Sequence, residues 1–207
     1  METVLLTTKN ISDDGTKNPP KPLQLYKPND PIHLLSYRDS KTRHFILSNL
    51  LSRGSFNMIY TFTQNNARAK KGLILRVSNS SNKNNIDMEL NGIKTQYILS
   101  AKSPFIATIV DYGRIVSKNN KNRQEYSIIE RYGVPLKDIL VSPKITYKNL
   151  MCPLIFMRDF LKGICAIHAR GYAHLDLKPS NILMKDIYKV KKTILTKINF
   201  AIIDFGA

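Results

Sequence analysis

Four polar residues within eight positions carry the chemistry most easily seen in this chain of 207 residues. They are His174, Asp176, Lys178 and Asn181, in the run "GYAHLDLKPSNILM" (171–184). A polar loop between a helix and a strand would account for them. Their spacing, ahead of an apolar run, also suits a device for moving a phosphoryl group, where placement and charge compensation do most of the work. A further acidic residue, Asp204, closes the apolar run "NFAII" in "NFAIIDFG" (199–206). A carboxylate delivered by an apolar strand is costly unless its charge has a partner.

The composition narrows the classes open to the chain. With 43% apolar and 23% charged residues it is neither disordered in composition nor a membrane protein. It has no run of eighteen apolar residues and no secretory start, which places it in the cytoplasm or the nucleus. Two cysteines, Cys152 and Cys165, make a disulfide framework unlike this chain and point to a reducing compartment. The net charge of +17, from 32 Lys and Arg against 15 Asp and Glu, attracts anions generally. It is spread through Lys/Asn stretches without interleaved aromatic residues, so a nucleic-acid site is disfavoured.

The elements that must position the polar residues follow from the patterning. Residues 1–42, with "KNPPKPLQLYKPNDP", read as a flexible leader, since repeated prolines oppose helix and interior strand. Residues 43–64 read as two strands around Gly54, and 71–79 as a third. "SNSSNKNNID" (78–87) reads as a polar loop, followed by a helix over 88–101. Residues 105–116 and 125–133 read as two more strands joined by "SKNNKNRQ". The first half is therefore an antiparallel sheet of about five strands with one helix. Beyond it, 147–170 carries Leu154, Met157, Leu161, Ile164 and Ile167 at helical spacing, and Gly171 stops that helix. The boundary between the two halves falls near 131–135, and ligands commonly sit in such a cleft.

These features together resemble the eukaryotic protein-kinase domain. "HLDLKPSN" (174–181) resembles its catalytic loop and "DFG" (204–206) its magnesium-binding motif, in family order after a helix. The resemblance covers about residue 45 to the last and implies an α+β, protein-kinase-like fold. An N-lobe would span 43–131 and the beginning of a C-lobe 132–207. It implies that ATP is the cofactor, with Mg2+, and that Asp176 accepts the proton of the attacking hydroxyl. Lys178 would reach the transferring phosphate and gives the loop its serine/threonine-specific form. Asn181 and Asp204 would ligate the metal through oxygen. His174 would be architectural, Phe205 an apolar plug and Gly206 a pivot.

The nucleotide-facing residues depart further from the family pattern. "LSRGSFNMIY" (51–60) resembles the glycine-rich loop, with Gly54 retained, Ser52 in the first glycine's place and Asn57 in the third's. Phe56 would cap the tip and Ile59 lie against adenine. "LILR" (73–76) resembles the strand that normally ends in lysine, so Arg76 stands in the lysine's place and Ile74 over the adenine ring. Counting back from "SPFI" (103–106) puts Lys94 at the place of the lysine's glutamate partner. Glu89, five residues earlier, fits only if the helix begins differently. "IIERYG" (128–133) resembles the hinge, with Ile129 as gatekeeper and the backbone from Glu130 to Tyr132 facing adenine; Leu183 would close it from below.

Leu175 replaces an arginine that normally grips an activation-segment phosphate, so that form of switching is not expected. A lysine-rich extended hairpin is expected over 185–199. The sequence ends one residue past the motif, which leaves the C-lobe incomplete and implies further chain, or a protein partner, over the long helix. Two functions follow: a serine/threonine protein kinase acting on a protein substrate, or a catalytically inactive kinase-like protein that binds a partner kinase or its substrate.

Overall fold

In the computed structural model, the chain is described over residues 26–54, 57–64, 72–78, 83–116, 124–141, 153–184 and 200–205. Alternation is the first organising signal. In "PIHLLS", Ile32, Leu34 and Ser36 are buried while Pro31 and His33 are exposed, the period of two that makes a half-buried strand. This strand, β1 (Pro31–Ser36), lies inside the region expected to be a leader. Its proline is no obstacle, because a proline at the first strand position removes no necessary ladder bond.

Strands β2 (Thr42–Arg53), β3 (Asn57–Gln64), β4 (Leu73–Ser78), β5 (Ile109–Ile115) and β6 (Glu125–Glu130) complete a closed barrel in the order β1-β2-β3-β4-β6-β5. The sheet thus has six strands where about five were expected. Closure depends on β1 pairing antiparallel with β5, Leu34 opposite Ile115 and Ser36 opposite Gly113. A buried carboxylate reinforces that seam: Asp111 accepts from Ser36 Oγ at 2.6 Å and from the Tyr126 hydroxyl at 3.1 Å. Burial, and then the Asp111 charge, push the Tyr126 phenol well above its ordinary range, so it stays a donor. The barrel interior is filled by Leu47, Met58, Tyr60, Leu75, Val77 and their neighbours.

Helix α1 (Lys83–Ser100) packs on the barrel and begins five residues before the expected start, inside the stretch taken for a polar loop. Ile86, Leu90, Ile93 and Leu99 supply the buried contacts that hold those polar residues in helical form. After β6 come β7 (Val134–Pro135), α2 (Leu136–Leu140) and α3 (Pro153–His168). Gly171, at φ +75°, ends the α3 segment with its N–H on His168 O, as its position in the sequence indicated. The face of α3 matches the expected one at Ile164 and Ile167 and differs at Met157 and Leu161. Phe156, Phe160, Ile164 and Ile167 join the lower core, while Met157 and Leu161 are exposed. Aromatic volume decides this: Phe156 and Phe160 both pack against Phe200.

A 3₁₀ turn (Pro179–Asn181) leads into β8 (Ile182–Met184), which pairs with β7 and with β9 (Phe200–Ile202) in a second, three-stranded sheet. The antiparallel barrel with its helix, above a small sheet and α3, is the expected α+β arrangement. The expected leader before residue 26, the Phe56 tip, the 185–199 hairpin and the Gly206 pivot lie outside the described residues.

The β1–β5 seam leaves no room for a side chain at Gly113, where an added Cβ would stand 2.0 Å from Leu35 O. Gly113→Ala is therefore expected to destabilise the fold by at least about 2 kcal/mol, measured by urea unfolding.

Candidate functional site

The lower half of the site is a short loop made rigid by its own side chains. Asn181 is buried, and its Nδ2 donates to Asp176 O at 2.9 Å and to Asp176 Oδ2 at 3.1 Å. Lys178 Nζ pairs with the same Asp176 Oδ2. The Lys178 hydrogen bond, helped by Asn181, holds the Asp176 carboxyl below its usual range, so it is ionised at neutral pH and able to accept a proton. His174 is half-buried, with Nε2 2.8 Å from Ile203 O and its ring 4.6 Å from that of Phe205. This is the bracing position expected of it. Ile203 N–H donates to Asn181 O at 3.0 Å, which sets the residue before Asp204 against the loop.

The upper half is organised by Arg76 on β4. Its Nη2 lies 3.1 Å from Asp204 Oδ1 and 3.4 Å from Glu89 Oε1 on α1. The first contact has hydrogen-bond geometry; the second is an ion pair at a distance and angle that leave Glu89 Oε1 without a true hydrogen bond. Glu89 is thus the helix partner of the strand base, and Lys94 is exposed on α1. The like-charge arrangement expected of Arg76 and Lys94 is corrected by the earlier helix start. With its amide oxygen turned to the guanidinium, Asn57 accepts from Arg76 Nε and Nη2, each at 3.1 Å. The side chain in the third glycine's place is therefore spent on the strand base.

The remaining expected residues surround this point. Gly54 donates its N–H to Asn57 O at 2.8 Å and closes the turn between β2 and β3; Ser52 is exposed and pairs across with Ile59. Ile59 lies opposite Arg76 in the β3–β4 ladder and is half-buried. Ile74 lies opposite Ile129, and both join a cluster with Ile93, Ala107 and Ala201. Tyr132 packs beside that cluster. Glu130 and Arg131 use their N–H groups on Thr108 O and Gly72 O, so neither is left to donate to a ligand. Leu183 is half-buried between Pro135 and Ala201. Leu175 is 78% exposed. A cavity of about 600 Å³ lies elsewhere, at a barrel mouth lined by Tyr37, Arg43, Tyr97 and Asp111, and includes none of the expected site residues.

Sequence reasoning passed over Gln96. Its side chain is 1% exposed, accepts from Asp204 N–H at 3.2 Å and donates to Ala107 O at 3.0 Å. The signal available was a lone polar residue between Ile93 and Leu99 on the buried face of α1. Asp204 itself adopts φ +70°, the left-handed region that an aspartate tolerates better than most residues.

The donor set fits magnesium. Asn181 spends its amide nitrogen on Asp176, which turns its oxygen to the other side, and Asp204 keeps a second carboxylate oxygen beyond the Arg76 contact. Carboxylate and carboxamide oxygens are the hard ligands this ion takes. Among the described residues no group of three His, Cys, Asp or Glu is placed to hold a metal ion, so a metal here would rest on the Asn181 and Asp204 oxygens alone, and no helix is long and apolar enough to cross a membrane.

No family model matches the chain. Over 51 residues it is 37% identical to a probable cyclin-dependent serine/threonine-protein kinase of Dictyostelium discoideum, covering 25% of this chain and 4% of that one. Over 86 residues it is 31% identical to cyclin-dependent kinase B2-1 of Arabidopsis thaliana, covering 41% and 27%. The chain therefore matches about a quarter or less of these relatives' lengths. Among solved structures it is similar to vaccinia related kinase 3, with TM-score 0.55 and 14% identity over 89% of this chain and 53% of that one. It is also similar to a twitchin kinase fragment of C. elegans, with TM-score 0.56 and 19% identity over 78% and 32%.

Burial, more than any other cause, pushes the Glu89 carboxyl up to about 7, with Arg76 opposing the shift and Asp204 and Glu125 adding to it. The folded state then holds more protons than the unfolded one between the ordinary value of 4.5 and about 7, so this group lowers stability as pH rises through that window. Glu89→Gln is expected to flatten the fall in stability between about pH 5 and pH 8 in urea titrations. A wild-type slope retained in the variant would refute the assignment. The antiparallel barrel, its helix and the elements beneath it, with these solved neighbours, give the chain the fold of the protein kinases.

Proposed function

We propose that this chain binds ATP between the barrel and the β7–β8–β9 sheet and serves transfer of its terminal phosphoryl group to a serine or threonine hydroxyl of a protein. One observation carries the reading: Asp176, ionised and fixed by Lys178 and Asn181, sits on a loop tied through Asn181 O and Ile203 N–H to Asp204, which meets the cation of β4. Asp176 orients the acceptor hydroxyl and takes its proton; Lys178, already beside Asp176, meets the charge of the transferring group. Asn181 and Asp204 are the residues that would hold magnesium, which compensates phosphate charge when bound. Ile59, Ile74, Ile129 and Leu183 supply the apolar walls for adenine, with the Glu130 carbonyl and the Tyr132 backbone at its edge. ATP with Mg2+ as cofactor, and a protein as substrate or partner, follow from the same reading.

A second reading has its own support. Asn57 covers two nitrogens of Arg76 where a glycine would leave the cation open to phosphate, which favours a kinase-like protein that binds a partner kinase or its substrate without transfer. The two separate on one set of measurements. Magnesium-dependent ATP binding, with radiolabelled phosphate appearing on a serine- and threonine-containing peptide library, is expected under the first. Asp176→Asn should then lower transfer about 100- to 10,000-fold with ATP affinity little changed. Asp204→Asn should weaken the magnesium-dependent binding itself. ATP binding without transfer would favour the second reading, and no ATP binding at saturating nucleotide would defeat the first.

A further inference from the structure

The segment entering Asp204 runs as a parallel pair with residues 105–107, centred on the bridge between Ile106 and Ile202. Ile202 N–H donates to Phe105 O at 2.8 Å, and Ala107 N–H donates to Ile202 O at 3.0 Å. The parallel pattern fixes the next rung: Asp204 N–H to Ala107 O. That rung is not made directly. The Gln96 carboxamide stands in it, its oxygen taking the Asp204 N–H at 3.2 Å and its nitrogen donating to Ala107 O at 3.0 Å. A primary amide is one of the few side chains that can replace a peptide group on both sides at once, since it carries a donor and an acceptor.

We propose that Gln96 is the positioning residue for Asp204: by replacing one ladder rung with its own amide, it ends the parallel pairing and turns the Asp204 carboxylate onto Arg76. The insertion separates the two backbones by the width of an amide. Asp204 then leaves extended geometry, at φ +70°, where a continued ladder would have kept it extended. Both backbone groups lie against buried neighbours, Ala107 at 0% and Gln96 at 1% exposure, so each would be costly to leave unpaired. Helix α1 consequently grips Asp204 twice, through Gln96 on its N–H and through Glu89 by way of Arg76. An apolar residue at position 96 can make neither bond and has no hold on the gap between the two backbones. The direct rung would then reform and swing the carboxylate away from Arg76.

This inference deepens the phosphotransfer reading but is tested without relying on it. In the isotope-labelled wild-type chain, a nuclear Overhauser contact is expected between the Gln96 side-chain amide and the Asp204 N–H. In Gln96→Met, the Arg76 Nε–H resonance is expected to move to the position it takes in Asp204→Asn, which reports loss of the same ion pair. Magnesium-dependent ATP affinity should fall at least about 10-fold, the scale of one well-made hydrogen bond. An Arg76 resonance unchanged in folded Gln96→Met would overturn the proposal, because a merely space-filling Gln96 would leave the pair intact. If Gln96→Met does not fold, absence of the Gln96–Asp204 contact in wild type overturns it equally. A wild-type chain that shows both nuclear magnetic resonance signatures and binds no ATP would defeat the phosphotransfer reading alone and uphold the latch.

Discussion

The guanidinium of Arg76 is the one group on which three parts of the molecule converge. It leaves the barrel on β4, meets Glu89 on α1 and meets Asp204 beyond β9. Its side chain is 12% exposed, so water screens these contacts poorly and each carboxylate matters. A lysine offers a single compact charge, whereas the planar fork of arginine presents separate nitrogens to separate partners. That is how Asn57, Glu89 and Asp204 can all face one residue. Removing the cation would leave two carboxylates, one of them deeply buried, with no compensating charge nearby.

The barrel exists to hold that cation still. Strand β4 lies between β3 and β6, so the Arg76 backbone is laddered on both sides, opposite Ile59 and Ser127. Closure through β1 and β5 removes the free sheet edges and, with the Asp111 seam, limits the motion left to the sheet. The loop from His174 to Asn181 below is held by different means. It has little regular structure, and its shape comes from side chains bonding to backbone: Asn181 to Asp176 within the loop, and His174 to Ile203 beyond β9. A rigid scaffold above and a self-braced loop below meet at residues 203 and 204.

What the sequence disclosed divides along the same line. The loop from His174 to Asn181 could be read directly, because the bonds among Asp176, Lys178 and Asn181 are made within eight positions; only its tie to Ile203 is distant. Five strands of the barrel, β2 to β6, could be read because short apolar runs bounded by turn residues are a local signal. The features that escaped depend on distant packing. Strand β1 was hidden by prolines whose effect depends on where in a strand they fall. The Glu89 partnership was obscured because the helix start was placed by polarity, while Ile86 and Leu90, buried against the barrel, carry the helix back to Lys83. Gln96 escaped for a related reason: its place on the buried face of α1 marks it as unusual, but its bonds go to Ala107 and Asp204, eleven and 108 positions away, and local sequence does not name those partners. On α3, the expected Ile164 and Ile167 do pack in the core, while Phe156 and Phe160 take the places expected of Met157 and Leu161.

The charge of the site runs against the charge of the chain. The sequence carries a net +17, yet the described site sets two cations, Arg76 and Lys178, against three carboxylates, Glu89, Asp176 and Asp204. With Glu89 pushed up to about 7 it is partly neutral near physiological pH, which brings the balance close to zero without making it positive. A polyphosphate entering such a cleft therefore finds no surplus of fixed positive charge and must be accompanied by a mobile one. The oxygens of Asn181 and Asp204 that remain beyond their protein partners are suited to receive that cation. The excess of lysine elsewhere can draw anions toward the protein over a Debye length or so, whereas this nearly neutral centre has no surplus of fixed positive charge to hold one unaided.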